Sequence, residues 1–397
     1  MQQTAKTTTP PANSAAEEVD YPAQQILASA TDFRGVIRYA NPAFCDVAKF
    51  SHDDLMGAPH KVVRHLDMPR GMFFLFWERL KSGLPVCAYV KNRTGDGRYY
   101  WVFATVTQMR DGYISVRIKP TGELFALTRE LYSDLLFEEA NGLSPEKSAQ
   151  RLRAYLAEKG YRNFDAYMGA ALDSEIGNRS DIAEIAGSTL EHICDLTELI
   201  ERAETLVNNI SSVFGQVRGE PVNLRILAGR LEEAGAVIST ISKNYETMAV
   251  DMYQLVERLN GDEAGALIRM RDSIDRGRGA AQISALMKLT ASQADETDRE
   301  LLAGQSALLS DASRTAMAEI SAFGQTIPDT CRQLRRRING LDLVKLLCRV
   351  ESGRIGDVDS GMNGIITRLE EAHQSTDRYL SKLSATASLI NSRSKTL

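Results

Sequence analysis

The chain has no run of about eighteen apolar residues, so no transmembrane helix is expected. Met1 to Asp20 is Thr, Pro, Ala and Glu without an apolar stretch, which reads as a disordered tail and not as a signal peptide. Neither sign of charge dominates. The net charge of −5 is spread along 397 residues, which argues against a nucleic-acid binder. Cysteine is scarce. Cys45, Cys87, Cys194, Cys331 and Cys348 are odd in number and form no Cys-x-x-Cys pair, so no disulfide framework is expected, and a reducing cytoplasm fits. Also missing are a phosphate-binding Gly-x-x-x-x-Gly-Lys-Ser/Thr loop, a cyclase signature, and any set of nucleophile, base and oxyanion donors; no enzyme is expected. His60, His65 and Asp67 have no fourth ligand at useful spacing, so a metal site is not expected either.

What is present concentrates between Gly57 and Pro120, where both tryptophans and most of the strand-like sequence lie. Leu84 to Val90 is an apolar run without helical spacing, and Arg98 to Gln108 alternates and is β-branched and aromatic. Lys91 to Gly97, ending Gly-Asp-Gly, reads as the turn of a hairpin. Tyr113 to Lys119 reads as a third strand, and Phe33 to Tyr39 as a short one upstream, broken at Arg34-Gly35. Pro42 suits the first turn of a helix after Asn41, and Ser51 opens a second. Gly71 to Gly83 has helical spacing. The order predicts an α+β module of about a hundred residues, an antiparallel sheet with flanking helices and a cavity between them.

These residues resemble the PAS domain family, in particular the flavin-binding PAS domain of the aerotaxis-receptor type. The likeness runs from Thr31 to Arg110. It rests on Tyr39-Ala40-Asn41-x-x-Phe44, on Gly57-x-Pro59-His60-x-x-Val63-Arg64-His65-x-Asp67-Met68-Pro69, on Trp77 and Leu80-Lys81-x-Gly83, on Val90-Lys91-Asn92-Arg93, and on Tyr100-Trp101-Val102. The resemblance implies FAD held between helices and sheet, with haem a less favoured alternative. Carried over by position, the cofactor-site residues are Asn41, His60, Arg64, His65, Asp67, Phe73, Trp77 and Asn92. The chemistry agrees: Arg64 and His65 suit a pyrophosphate, Phe73 and Trp77 a flat ring, and Asn92 can both donate and accept. Val86 stands where the family has a tryptophan, and Leu66 where a proline is usual. Taken without the resemblance, Phe73 and Trp77 are a core stripe and His65 with Asp67 a surface pair.

The remainder reads as helix. Residues 121–179 form a connector, with Leu124 to Ala140 one helix, Ser144-Pro145-Glu146 the start of the next, and Ala149 to Gly160 and Phe164 to Leu172 short helices. From residue 180 to 397 long signalling helices are expected, as a coiled coil or helical bundle. One heptad seam runs Ile193, Leu196, Ile200, Ala203, Val207, Ile210, Phe214, Val217. Gly219-Glu220-Pro221 interrupts it. A second seam runs from Leu224 through Leu231, Ala234 and Ile238 to Leu259. Ala264 to Phe323 is helical, Thr326 to Asp329 a break, and Thr330 to Lys395 helical with gaps near Asn339-Gly340 and Gly353 to Gly361. Arg332, Arg335, Arg336 and Arg337 form a basic cluster that reads as a solvated helix face. Asn223 to Ala234 and Leu343 to Asp357 resemble the tip of the cytoplasmic signalling hairpin of chemoreceptors, with Ala228 or Leu347 in place of the tip asparagine.

The whole reads as a cytoplasmic PAS redox or oxygen sensor, with residues 21–120 sensing and a homodimeric helical bundle signalling to a chemotaxis adaptor, kinase or chemoreceptor array. Two rival classes are a cofactor-free scaffold and a divergent histidine kinase using His192.

Overall fold

A five-stranded antiparallel sheet holds the first part of the chain together. Its strands are β1 (Leu27–Asp32), β2 (Ile37–Ala40), β3 (Val86–Arg93), β4 (Tyr99–Gln108) and β5 (Gly112–Ile118), in the order β2-β1-β5-β4-β3. The computed structural model describes residues 17–177, 179–229, 235–261, 265–355 and 360–395. Two compact units result: Met1–Gly187 with Arg278–Ser313, and Ser188–Gly277 with Arg314–Leu397. Between β2 and β3 lie α1 (Pro42–Ala48), α2 (His52–Leu55), a 3₁₀ turn (His60–Val63) and α3 (Arg70–Lys81). The expected α+β PAS architecture is therefore present.

Two strand boundaries differ from the sequence reading. The segment expected as a strand from Phe33 is a turn, closed by backbone bonds from Arg34 and Val36 to the Asp32 carboxylate. The strand before it, β1, was not expected; its small residues carry little strand signal, and pairing with both β2 and β5 fixes it. Likewise β3 runs on to Arg93, so the hairpin turn is shorter than expected, from Thr94 to Arg98. Gly112 must be glycine: a Cβ there would lie 1.8 Å from the Thr31 carbonyl oxygen on β1.

One sheet face turns inward to α1–α3. The other is covered by α4 (Leu124–Ala140) and α6 (Phe164–Ile176), while α5 (Pro145–Glu158) packs on α3 and α4. Trp101 of β4 packs its indole 5.2 Å from Phe125 and stacks on Tyr132, whose hydroxyl donates to the Tyr89 carbonyl. Two buried glutamates hold pairs of backbone amides from a distance. Glu139 accepts from the Arg70 and Gly71 amides at the start of α3, and Glu175 from Thr121 and Gly122 before α4. Glu139 thereby supplies the acceptor that the start of α3 lacks, and Glu175 fixes the turn that leads into α4.

The remaining helices are α7 (Ser180–Val217), α8 (Glu220–Ala228), α9 (Gly235–Asn260), α10 (Ala266–Ser292), α11 (Glu296–Gly324), α12 (Thr326–Ile355) and α13 (Ser360–Arg393). In the first unit, Gln305 of α11 donates to the Thr107 hydroxyl and the Gln108 carbonyl of β4, at 3.1 and 2.8 Å. In the second unit, α8, α9, α12 and α13 pack side by side. Arg368 grips the buried Glu220 carboxylate at 2.7 and 3.0 Å.

The seam residues Ile193, Leu196, Ile200, Val207 and Ile210 are buried as expected. The second seam is not one helix. The chain folds back after α8, with Arg225 pairing with Glu246 and Ser242 donating to the Pro221 carbonyl, so both halves bury their stripes within a single chain. Leu231 and Ala234 lie outside the described residues, as do part of the expected gap after Gly353 and most of the N-terminal tail. The gap expected at Asn339-Gly340 is continuous helix, in which Gly340 leaves room for the Met248 Cε methyl. A break not expected separates α10 from α11, where the Asp295 side chain accepts from the Asp298 amide. Of the basic cluster, Arg332, Arg335 and Arg337 pair with Asp329, Asp377 and Asp251. Among the described residues, no helix is long and apolar enough to cross a membrane.

Candidate functional site

A cavity of about 340 Å³ opens between the inner sheet face, the 3₁₀ turn and α3. Its sheet floor alternates by strand geometry: Val90 and Asn92 of β3, Ala104 and Val106 of β4, Ser115 and Arg117 of β5. β5 is a central strand, paired on both sides, so its inward polar residues have no solvent to face. The opposing wall is aromatic. Phe73, Phe76 and Trp77 project from α3, with Trp77 5.5 Å from the Tyr113 ring in an edge-on arrangement. The Arg64 guanidinium lies over the Phe73 ring at 3.8 Å. A backbone bridge between Arg64 and Asn92, and a bond from Arg93 Nε to the Val62 carbonyl, strap this segment to β3.

The deepest polar group is Arg117. Its Nη2 donates to Ser29 Oγ at 2.9 Å and to His60 Nε2 at 2.7 Å. A guanidinium cannot accept, so His60 is the acceptor and carries its proton on Nδ1. Burial, and the charge of Arg117 beside it, hold His60 down at about 3 from its usual 6.5. Phe44 packs against both: its ring stacks on His60 and faces the Arg117 guanidinium at 4.9 Å. Burial also draws Arg117 down to about 10. Three buried polar atoms on the cavity floor have no hydrogen-bond partner: Asn92 Nδ2, Ser115 Oγ and Arg117 Nη1. The cavity lining holds four cations, Arg34, Lys61, Arg64 and Arg117, and no carboxylate among the described residues.

Of the eight residues singled out from sequence, five line this cavity: His60, Arg64, Phe73, Trp77 and Asn92. Three do not. Asn41 is a structural cap, accepting from the Phe44 and Ala28 amides and donating to the Ile26 carbonyl at 2.9 Å. His65 Nδ1 accepts from the Asp67 amide, and Asp67 pairs with Lys91 at 2.7 Å on the outer side. Sequence reasoning missed Arg117, Ser115 and Ser29. Their signal was a serine and an arginine alternating with Ile114, Val116 and Ile118 in a strand with both faces covered. Val86 lies opposite Val106 at the start of β3, fully buried. Among the described residues no cluster of histidine, cysteine or acidic groups could hold a metal. His192, the residue of the kinase reading, has its Nε2 2.6 Å from the Arg393 carbonyl.

No family model matches the chain. It is similar to the aerotaxis receptor of Escherichia coli, 40% identical over 114 residues, 28% of this chain and 22% of that protein. The chain thus spans less than a quarter of that relative's length. It is similar along most of its length to the biofilm dispersion protein BdlA of Pseudomonas aeruginosa, 22% identical over 358 residues, covering 87% of this chain and 80% of that protein. Among solved structures, the PAS domain of a protein from Colwellia psychrerythraea aligns at a TM-score of 0.21 and 13% identity, covering 24% of this chain and 85% of that one. The strand order and the cavity are those of a PAS-type α+β fold, which agrees with the likeness to the aerotaxis receptor over 114 residues, and a long helical region follows it.

Proposed function

We propose that this chain is a cytoplasmic redox or oxygen sensor of the chemotaxis machinery whose PAS cavity holds FAD. The observation that carries the reading is the cavity itself: an aromatic wall, a floor of unpaired donors and an all-cationic charged lining. Each fits one part of the dinucleotide. Phe73, Phe76 and Trp77 offer faces and edges to a flat ring. Asn92, Ser115 and Arg117 offer donors to its acceptor-rich edge. Arg64, with Lys61 and Arg34, offers positive charge to a pyrophosphate. Haem ranks second because Arg117 already holds His60 Nε2. A bound flavin supplies a ring whose charge and hydrogen bonding change with electron uptake.

The chain's own part is to sense that change and pass it on. The inward donors sit on β3 and β5, and β4 between them meets α11 through Gln305. Tyr39 of β2 also bonds the Asp298 carboxylate of α11. A shift of the sheet is thereby read by α11, which runs on to Gly324. The mechanism is a population shift between two arrangements of this contact.

The output side is a homodimer or a partner in a chemoreceptor array, through an adaptor or kinase. The apolar stripe Leu343, Leu346, Leu347 and Val350 of α12 is 42–60% exposed and recurs at helical spacing. It falls within the tip-like stretch, whose residues 356 and 357 lie outside the described residues, as do 230–234 of the other one. Titration of cofactor-free protein with FAD, FMN and haem tests the reading. It expects FAD to bind tightest, with Arg64→Ala weakening it about tenfold to a hundredfold, the value of a charged hydrogen bond.

A further inference from the structure

Arg117 is a buried cation without an anion. It is 3% exposed, and the groups that act on its charge are the Tyr100 and Tyr21 phenols, not carboxylates. Burying a lone charge is costly unless something repays it. Around Arg117 the face of the Phe44 ring, 4.9 Å away, offsets part of that cost, and no carboxylate does. Ser29 and Phe44 are neutral, and His60 is held neutral as the acceptor of Arg117 Nη2. The other charged groups on the cavity wall, Arg34, Lys61 and Arg64, are positive as well. Arg117 Nη1 is left without a partner and lies on the same floor as Asn92 Nδ2 and Ser115 Oγ, which are also unpaired. A floor whose three unpaired groups can all donate, beside an all-cationic charged lining, is complementary to a ligand edge that brings acceptors and can take on negative charge.

We propose that Arg117 is the charge partner of the cofactor ring, favouring its reduced, negatively charged form over the oxidised, neutral one. This rests on the flavin reading and deepens it. Reduction then takes two electrons and one proton from a donor of the dihydronicotinamide or quinol class, which is oxidised. The second proton that a neutral reduced ring would carry stays in solvent, because the guanidinium already balances the charge. Arg117 therefore raises the potential of the bound cofactor, and Asn92 and Ser115 orient the edge that receives the charge.

The test is an anaerobic spectroelectrochemical titration of the FAD-loaded full chain at several pH values near neutrality. One proton per two electrons gives a potential that falls by about 30 mV per pH unit; two protons give roughly twice that. Arg117→Met should lose about tenfold to a hundredfold of the preference for the reduced form, lowering the potential by about 30–60 mV, and Arg117→Lys should keep most of it. If wild-type protein binds no FAD, the flavin reading falls and this inference with it. If FAD binds but the wild-type slope is the two-proton one, or a folded Arg117→Met leaves the potential unmoved, this inference alone is overturned. Should Arg117→Met not fold, the wild-type slope and the Lys variant decide.

Discussion

Arg117 Nη2 lies 2.7 Å from His60 Nε2, a contact between a group that can only donate and a ring that must therefore accept. Burial, with the Arg117 charge beside it, keeps His60 neutral, and the contact locks its tautomer; the group adds its own share to the pH dependence of the domain. Folded His60 sits at about 3, against 6.5 when exposed, so between those values the unfolded chain binds a proton that the folded chain refuses. Stability should be whole above about 6.5 and fall as the pH drops towards 3, by about 1.4 kcal/mol for each unit of the depression. Denaturant titrations followed by tryptophan fluorescence would show it. His60→Gln, which keeps an acceptor but does not titrate, should lose most of this slope.

Asn41 sits in the sequence motif, yet its side chain is spent on the fold. It ties the α1 start to β1 with bonds to Phe44, Ala28 and Ile26. Asn41→Ala should cost about 1–2 kcal/mol of stability, the upper range for a lost cap. Flavin affinity, measured by fluorescence quenching well below the melting transition, should stay within a factor of two. A large loss of affinity in a stable Asn41→Ala protein would place this side chain at the ligand after all.

Trp77 and Asp67 make the opposite comparison. Trp77 stands over the cavity beside Tyr113, whereas Asp67 pairs with Lys91 outside it. Trp77→Ala should weaken flavin binding by about tenfold, from an aromatic contact of roughly 0.5–1.5 kcal/mol together with lost apolar contact area. Asp67→Ala should leave it nearly unchanged, since an exposed ion pair is worth about 1 kcal/mol or less. Equal losses in both variants would contradict this division of the motif.

The exposed stripe on α12 predicts an association surface. Leu346→Asp with Val350→Asp should abolish self-association or array binding while leaving helicity unchanged, because neither side chain is in the bundle core. The resemblance to a chemoreceptor tip implies that Ala228 or Leu347 stands in place of its asparagine, and an unpaired group in a desolvated interface costs about 1–3 kcal/mol. Reconstitution with purified adaptor and kinase should therefore show binding but weak kinase activation. Full activation would show that this replacement is harmless.

The parts of the fold legible from sequence are those set by short-range pattern. The helix Leu124–Ala140 ends where Asn141-Gly142 follows it, and the first seam buries the aliphatics that its spacing selects. What was not legible depends on distant pairing. β1 is a run of small residues that becomes a strand only because β2 and β5 flank it. The second heptad seam keeps its phase through a chain reversal, so spacing alone cannot show that α8 folds back on α9. Gly340 looks like a helix breaker, yet its lack of a side chain makes room for Met248. At the site, the motif pointed to the cavity wall, Phe73, Trp77 and Arg64. It did not distinguish the cavity-lining Asn92 from the cap Asn41, because the same residue type serves both. Arg117 was hidden because a lone arginine in a strand ordinarily faces water; only the sheet order shows that this one cannot.

The central claim is that the PAS cavity holds a flavin, and the absorption spectrum of the full chain purified without added cofactor tests it most directly. The account predicts a yellow protein whose flavin bands bleach on anaerobic reduction, return in air, and are lost or weakened in Arg64→Ala and Trp77→Ala. A colourless wild-type protein that stays colourless after incubation with FAD would contradict it and leave the scaffold reading standing.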